Sequence, residues 1–184
     1  MRKPILAALV AAAALQASPL IAKAGYVRMY SSTKMENIEG ISQVAVSSLD
    51  LDSGKLAIKV RNNTFEFPNK LMQEHFNENY MQSAKFPMSS FTGTVTRLDR
   101  ASLDAGKTIP VTIEGDLEVH GVKKHYLVPG VLHKAADGSI QGETTFKVGI
   151  ADHGIQVPTI VVAKIAESMD ITARFAWRAA EATK

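Results

Sequence analysis

The sequence predicts an all-β domain, an antiparallel sandwich or a closed barrel. Three observations predict it. Apolar residues recur with period two in long segments of the C-terminal half. Glycine-bearing turns separate those segments. The chain has no cysteine, so its core must stand on packing alone.

The N-terminus reads differently from the rest. Arg2 and Lys3 precede Ile5 to Leu15, an uncharged run rich in Ala and Leu. Then comes QASPLIAKAG, where Ala22 and Ala24 form the small-x-small pattern of a cut before Gly25. Together these read as a signal peptide over residues 1–24, which sends residues 25–184 to the periplasm or the medium. The alternative is a retained anchor, but the apolar run falls well short of the roughly 20 residues a membrane span needs. No stable membrane anchor is expected, and without cysteine no lipid-modified one can form.

Charge narrows the partners. Of the 21 Lys and Arg residues, Arg2, Lys3 and Lys23 lie in the leader, which leaves 18 against 18 acidic residues. The basic character therefore belongs to the segment removed, and nothing in it favours a nucleic-acid partner. A length of this order suits one domain that buries roughly two-thirds of its unfolded surface.

The remaining elements follow in order. Asp52-Ser53-Gly54 lies between two apolar segments as a hairpin turn. NKLMQEHFNENYMQSAKFPMSSF, from Asn69 to Phe91, breaks the strand pattern. Asn69 can cap a helix, which places Leu71, Met72, His75 and Phe76 on one side of about two turns. Phe86-Pro87 ends that region, and Phe91, Gly93 and Val95 resume a strand. From Thr108 to His120 the odd positions are apolar or glycine, Ile109 through Val119, and the even positions are mostly polar. Such alternation gives one dry face and one wet face. Gly121 turns the chain into a strand through Tyr126 and Val128, and Asp137-Gly138 turns it again before Ile140. The alternation returns over Ile140 to Ile150 and over Ile165 to Trp177, with Glu167 as the one charge on that dry face. Between these two, Asp152 to Lys164 leaves room for a helical turn after Pro158.

Three pieces resemble one family. LMQEHFNENYMQSAKFPMSSFTGTV, GDLEVHGVKKHYLVPGVL and FKVGIADHGIQVPTIVVAKIAE are together similar to YceI-like secreted bacterial proteins. The most specific part is the Leu-x-x-His-Gly-Val-x-Lys turn (Leu117 to Lys124) followed by Asp-x-x-Ile-x-x-Pro (Asp152 to Pro158). The chain departs from the family at Lys123, often Thr, at His153, often Tyr, and in a first segment that lacks the usual aromatic-rich start. The resemblance implies an antiparallel lipocalin-like β-barrel of about eight strands with one or two short helical insertions. It also implies an apolar lipid ligand, such as an isoprenoid chain, held inside without cofactor or catalysis.

The candidate cavity lining follows from the dry faces. The helical segment offers Leu71, Met72, Phe76 and Tyr80, at one end of the barrel or its entrance. The strand after it offers Phe91 and Val95, and the next long strand Ile113 and Leu117. Phe146 and Val148 come from the third, and Met169, Ile171, Phe175 and Trp177 from the last. A tail that loses roughly 500 Å² to such a lining gains about 12 kcal/mol gross. Ordering it returns more than half of that. The same residues would equally form a filled core, because patterning cannot separate a hollow barrel from a solid one.

Other chemistries have thinner support. His120 and His125, with Glu118 or Asp152, form the metal-ligand set on which a metal-dependent hydrolase would rest. His120 falls on the wet face, and no His-x-His or His-Glu-x-x-His spacing occurs. Glu74, His75 and Glu78 bear on acid–base work, but no nucleophile motif accompanies them. A secreted interaction barrel with a filled core is the main rival to the carrier. A homodimer that seals a barrel mouth is compatible with the chain, and no heptad or swapped segment argues for it.

Overall fold

The computed structural model describes residues 18–158 and 165–180. Within them lie eight strands: β1 (Leu20–Ser32), β2 (Asn37–Leu49), β3 (Lys55–Arg61), β4 (Met88–Thr96), β5 (Ile109–Val119), β6 (Val122–Lys134), β7 (Ile140–Gly149) and β8 (Ser168–Ala179). Each strand pairs antiparallel with the next, and β8 pairs back onto β1, so the sheet closes as a barrel. Closure pairs the first strand of the meander with the last.

The turns have local causes. The β5–β6 connection is His120-Gly121 alone, and both residues have positive φ, 53° and 75°. Two left-handed residues match the twist of a two-residue hairpin. Between β2 and β3, the Asp50 carboxylate accepts N–H bonds from Asp52 and Ser53 and the Ser53 hydroxyl.

Two short helices interrupt the meander. Helix α1 (Lys70–His75) starts at Asn69, whose side chain accepts the Leu71 N–H at 2.9 Å, as its position in the sequence predicts. It continues as a wider π turn over Phe76–Tyr80. Helix α2 (Arg100–Asp104) was not anticipated. Asp99 caps it by accepting the Ser102 N–H, and Leu103 is wholly buried beneath it. An expected turn after Pro158 falls outside the described residues; a 3₁₀ turn forms earlier, at Ala151–His153.

The barrel is solid at one end and hollow at the other. At the solid end Phe175 and Trp177 stack with centroids 5.5 Å apart, among Leu49, Leu56, Val95, Ile109, Leu132 and Ile140. Each ring occupies the space of a missing side chain. A Cβ on Gly25 would lie 2.1 Å from Phe175, and one on Gly142 would lie 2.6 Å from Trp177. Helix α1 and the π turn lie at the opposite end, where the interior stays open.

Two features bear on the ends of the domain and on its wall. Strand β1 begins at Leu20, five residues before the expected cut. Leu20 and Ile21 pair with both β2 and β8, and Ala22 is buried. Strand β1 thus spans the expected cut before Gly25. The β6–β7 ladder runs from Lys134–Ile140 to Gly130–Thr144 and stops there. Beyond it, the first part of β6 and the last part of β7 form a seam without backbone pairing between them. The outer wall carries Lys147–Asp170, Arg174–Glu143 and Arg178–Asp137 ion pairs, so it faces water. Among the described residues no helix is long and apolar enough to cross a membrane.

Candidate functional site

The open end holds a cavity of about 400 Å³. Val27 and Met29 of β1, Ile38 of β2 and Val60 of β3 form one side of it. Leu117 and Val119 of β5, Val148 of β7 and Met169 and Ile171 of β8 form the other. Helix α1 and the π turn close over these walls with Leu71, Met72, Phe76 and Tyr80. Phe76 anchors them: its ring lies 4.9 Å from that of Phe67 and 5.7 Å, edge to face, from that of Phe65.

The polar groups in the wall are mostly bound to one another. Asn62 is fully buried; its Nδ2 donates to the Phe86 carbonyl at 2.6 Å and its Oδ1 accepts the Ser89 hydroxyl at 2.8 Å. His153 is also fully buried. Its Nδ1–H donates to the Val122 carbonyl at 3.0 Å, and its Nε2 accepts the Tyr126 hydroxyl at 3.1 Å. Burial, and then the nearby Asp152 carboxylate, push the Tyr126 hydroxyl above its usual range, so it stays a donor. Burial likewise raises the Tyr80 hydroxyl. Polar wall groups satisfied in this way leave the cavity an apolar surface.

His153 also closes the seam. It ties the start of β6 to the 3₁₀ turn after β7, and Tyr126 meets Phe146 edge to face at 5.8 Å across the gap. His120 sends its Nδ1 to the His153 carbonyl at 3.3 Å and packs its ring 4.4 Å from Phe86. That packing accounts for a histidine at a left-handed turn position that usually carries Asn, Asp or Gly.

Of the candidate lining residues, Leu71, Met72, Phe76, Tyr80, Leu117, Val148, Met169 and Ile171 do border the cavity. Phe91, Val95, Ile113, Phe175 and Trp177 do not: they pack in the apolar core, Phe91 level with Leu117 of the cavity wall. Phe146 does not either, and sits at the seam against Tyr126. Alternation reports which face a side chain takes, not how far along the barrel axis it lies. Val27, Met29, Ile38 and His153 were missed; period two carried back over Gly25–Met29 would have found the first two.

The rival sets are held apart. His125 bonds to Asp116 at 3.0 Å on the outer wall, while His120 engages His153 at the open end. Among the described residues no three His, Asp or Glu side chains converge to hold a metal ion. His75 borders the cavity, and Glu74 and Glu78 are exposed.

A YceI-like domain model matches residues 22–177. The chain belongs to the YceI-like family. Solved structures share the barrel of this YceI-like domain. A polyisoprenoid binding domain from Saccharophagus degradans superposes with a TM-score of 0.73 at 14% identity, covering 88% of this chain and 98% of that one. BcnA of Burkholderia cenocepacia gives 0.70 at 11%, covering 83% and 95%. The YceI protein of Campylobacter jejuni gives 0.53 at 18%, covering 73% and 80%. At these identities the likeness is one of fold. No curated protein matches the chain in sequence.

Proposed function

We propose that this YceI-like protein is a carrier that sequesters an isoprenoid or similar long-chain lipid in its barrel, by burial and without catalysis. The observation that carries the reading is the half-hollow barrel, whose open end holds an apolar cavity of about 400 Å³. A volume in this range accommodates a small apolar guest. The name of the Saccharophagus degradans relative, a polyisoprenoid binding domain, supports the ligand class. The leader-like N-terminus supports export to the periplasm or the medium. The test is mass spectrometry of organic extracts of the purified protein, with uptake of added polyprenol measured beside it. One apolar lipid per chain, or saturable uptake at that ratio, is expected. A clean extract together with no uptake would overturn the carrier in favour of an interaction barrel.

A further inference from the structure

The cavity opens beside two exposed apolar side chains. Met35, at the tip of the β1–β2 turn, is 66% exposed, and Leu71, in the first turn of α1, is 57% exposed. Neither position is accidental to the cavity. Leu71 is part of its wall, and Glu36, the residue after Met35, borders it too. The turn is fixed by its own bonds: the Thr33 N–H donates to the Glu36 carbonyl at 3.0 Å, and Thr33 Oγ1 accepts the N–H groups of Met35 and Glu36. A firm turn that holds a bare methionine outward is a built projection.

We propose that this rim docks transiently on a phospholipid bilayer, with Met35 and Leu71 entering the acyl boundary so that the lipid passes from membrane to cavity without crossing water. The inference rests on the carrier reading, since it names where the cargo is collected. Exposed Lys34 and Lys70 stand next to the two apolar side chains, where each can reach a lipid phosphate. Glu74 follows one turn after Lys70, so the rim is not strongly cationic and apolar insertion carries the contact. A bilayer suits the rim better than a second copy of the chain, because an apolar cargo is dissolved in the bilayer and a second copy would cap the mouth.

The test uses the full domain, vesicles of phosphatidylcholine with a minority of phosphatidylglycerol, and a fluorescent farnesol analogue. The analogue is offered either within the vesicles or free in buffer. Met35→Asp is expected to lower vesicle flotation and the rate of transfer from vesicles about tenfold, the effect of withholding one large apolar side chain. Its affinity for the free analogue should be unchanged, which also shows that it folds. Met35→Leu should retain docking. Leu127→Asp, on the outer wall of β6, should change nothing. Equal flotation and transfer for Met35→Asp and the wild type would overturn the proposal. So would a wild type that takes up the free analogue but ignores vesicles, a result that points to delivery by a protein. If the wild type takes up no free analogue, the carrier reading falls, while flotation that still depends on Met35 upholds the docking surface.

Discussion

The indole N–H of Trp177 donates to the Ser47 hydroxyl at 2.9 Å, and Ser47 donates in turn to the Ala57 carbonyl at 2.9 Å. This buried chain links β8, β2 and β3 across the solid end of the barrel. It gives the one tryptophan a polar partner where water cannot reach. It belongs to the packed floor of the barrel, opposite the end that holds the cavity.

Ser47→Ala therefore leaves the buried indole donor unpaired, at a cost of about 1–3 kcal/mol. Trp177→Ala empties the floor and costs about 3–5 kcal/mol. In urea melts both variants should lower the midpoint. At low urea, where both remain folded, lipid uptake should match the wild type. Loss of uptake in a folded Trp177→Ala variant would show that the cavity extends into the floor.

The opposite outcome is expected at Ile171, which borders the cavity. Ile171→Trp adds volume to empty space instead of to a packed core, so stability should change by less than about 1.5 kcal/mol. Binding of a polyprenol should fall by about tenfold or more, because the added ring excludes several methylenes at roughly 0.8 kcal/mol each. Titration with a fluorescent polyene and a urea melt on the same preparation decide it.

These two variants also mark how far the sequence could be read. Alternation placed Ile171 and Trp177 correctly on one face of one strand. Their separate fates depend on what lies opposite: Gly142 and Gly25 admit the rings of Trp177 and Phe175, whereas the helix anchored by Phe76 spans the other end without filling it. Those are contacts between distant segments, and a one-dimensional pattern does not hold them. Helix α2 was missed for a related reason. Its five residues are too few to show a helical period, and its role comes from burying Leu103.

His153 should govern the seam and leave the floor untouched. His153→Phe keeps a ring of similar size but leaves the Val122 carbonyl and the Tyr126 hydroxyl without their partner, at about 1–3 kcal/mol. The opening should be local, because no β6–β7 ladder exists there to resist it. Amide hydrogen exchange is expected to quicken over residues 122–128 and 145–153 while residues 173–177 keep wild-type protection. Uniform quickening would show that His153 supports the whole barrel.

Acid should act through the β6–β7 turn. The Ser139 hydroxyl, and after it the Arg178 guanidinium, hold the Asp137 carboxyl well below the usual carboxylate range. A carboxylate with a depressed folded-state value adds stability that is fully present above its ordinary value of 3.8 and is lost as pH falls towards the folded-state value. The advantage of the wild type over Asp137→Asn should thus be constant near neutrality and shrink below about pH 4. The site is solvent-exposed, so added salt should shrink it too. Thermal melts of both proteins across pH check the sign; an advantage that grows in acid would refute it.

The start of β1 makes the last prediction. A mature chain that began at Gly25 would lack Leu20 to Ala24. It would remove the pairing of Leu20 with Leu49 on one side and with Ala179 on the other, together with the buried Ala22 methyl. Those residues close the barrel beside Trp177, so their loss should cost about 3 kcal/mol. If the chain is exported, a start upstream of Leu20, at a cut that spares the strand, is expected. Intact mass and N-terminal sequencing of the protein purified from its native host would show it. A chain made directly from Gly25 should melt well below one made from Ser18. An exported product that starts at Gly25 and is as stable as the Ser18 form would mean that the first five residues of β1 are dispensable to the closed barrel.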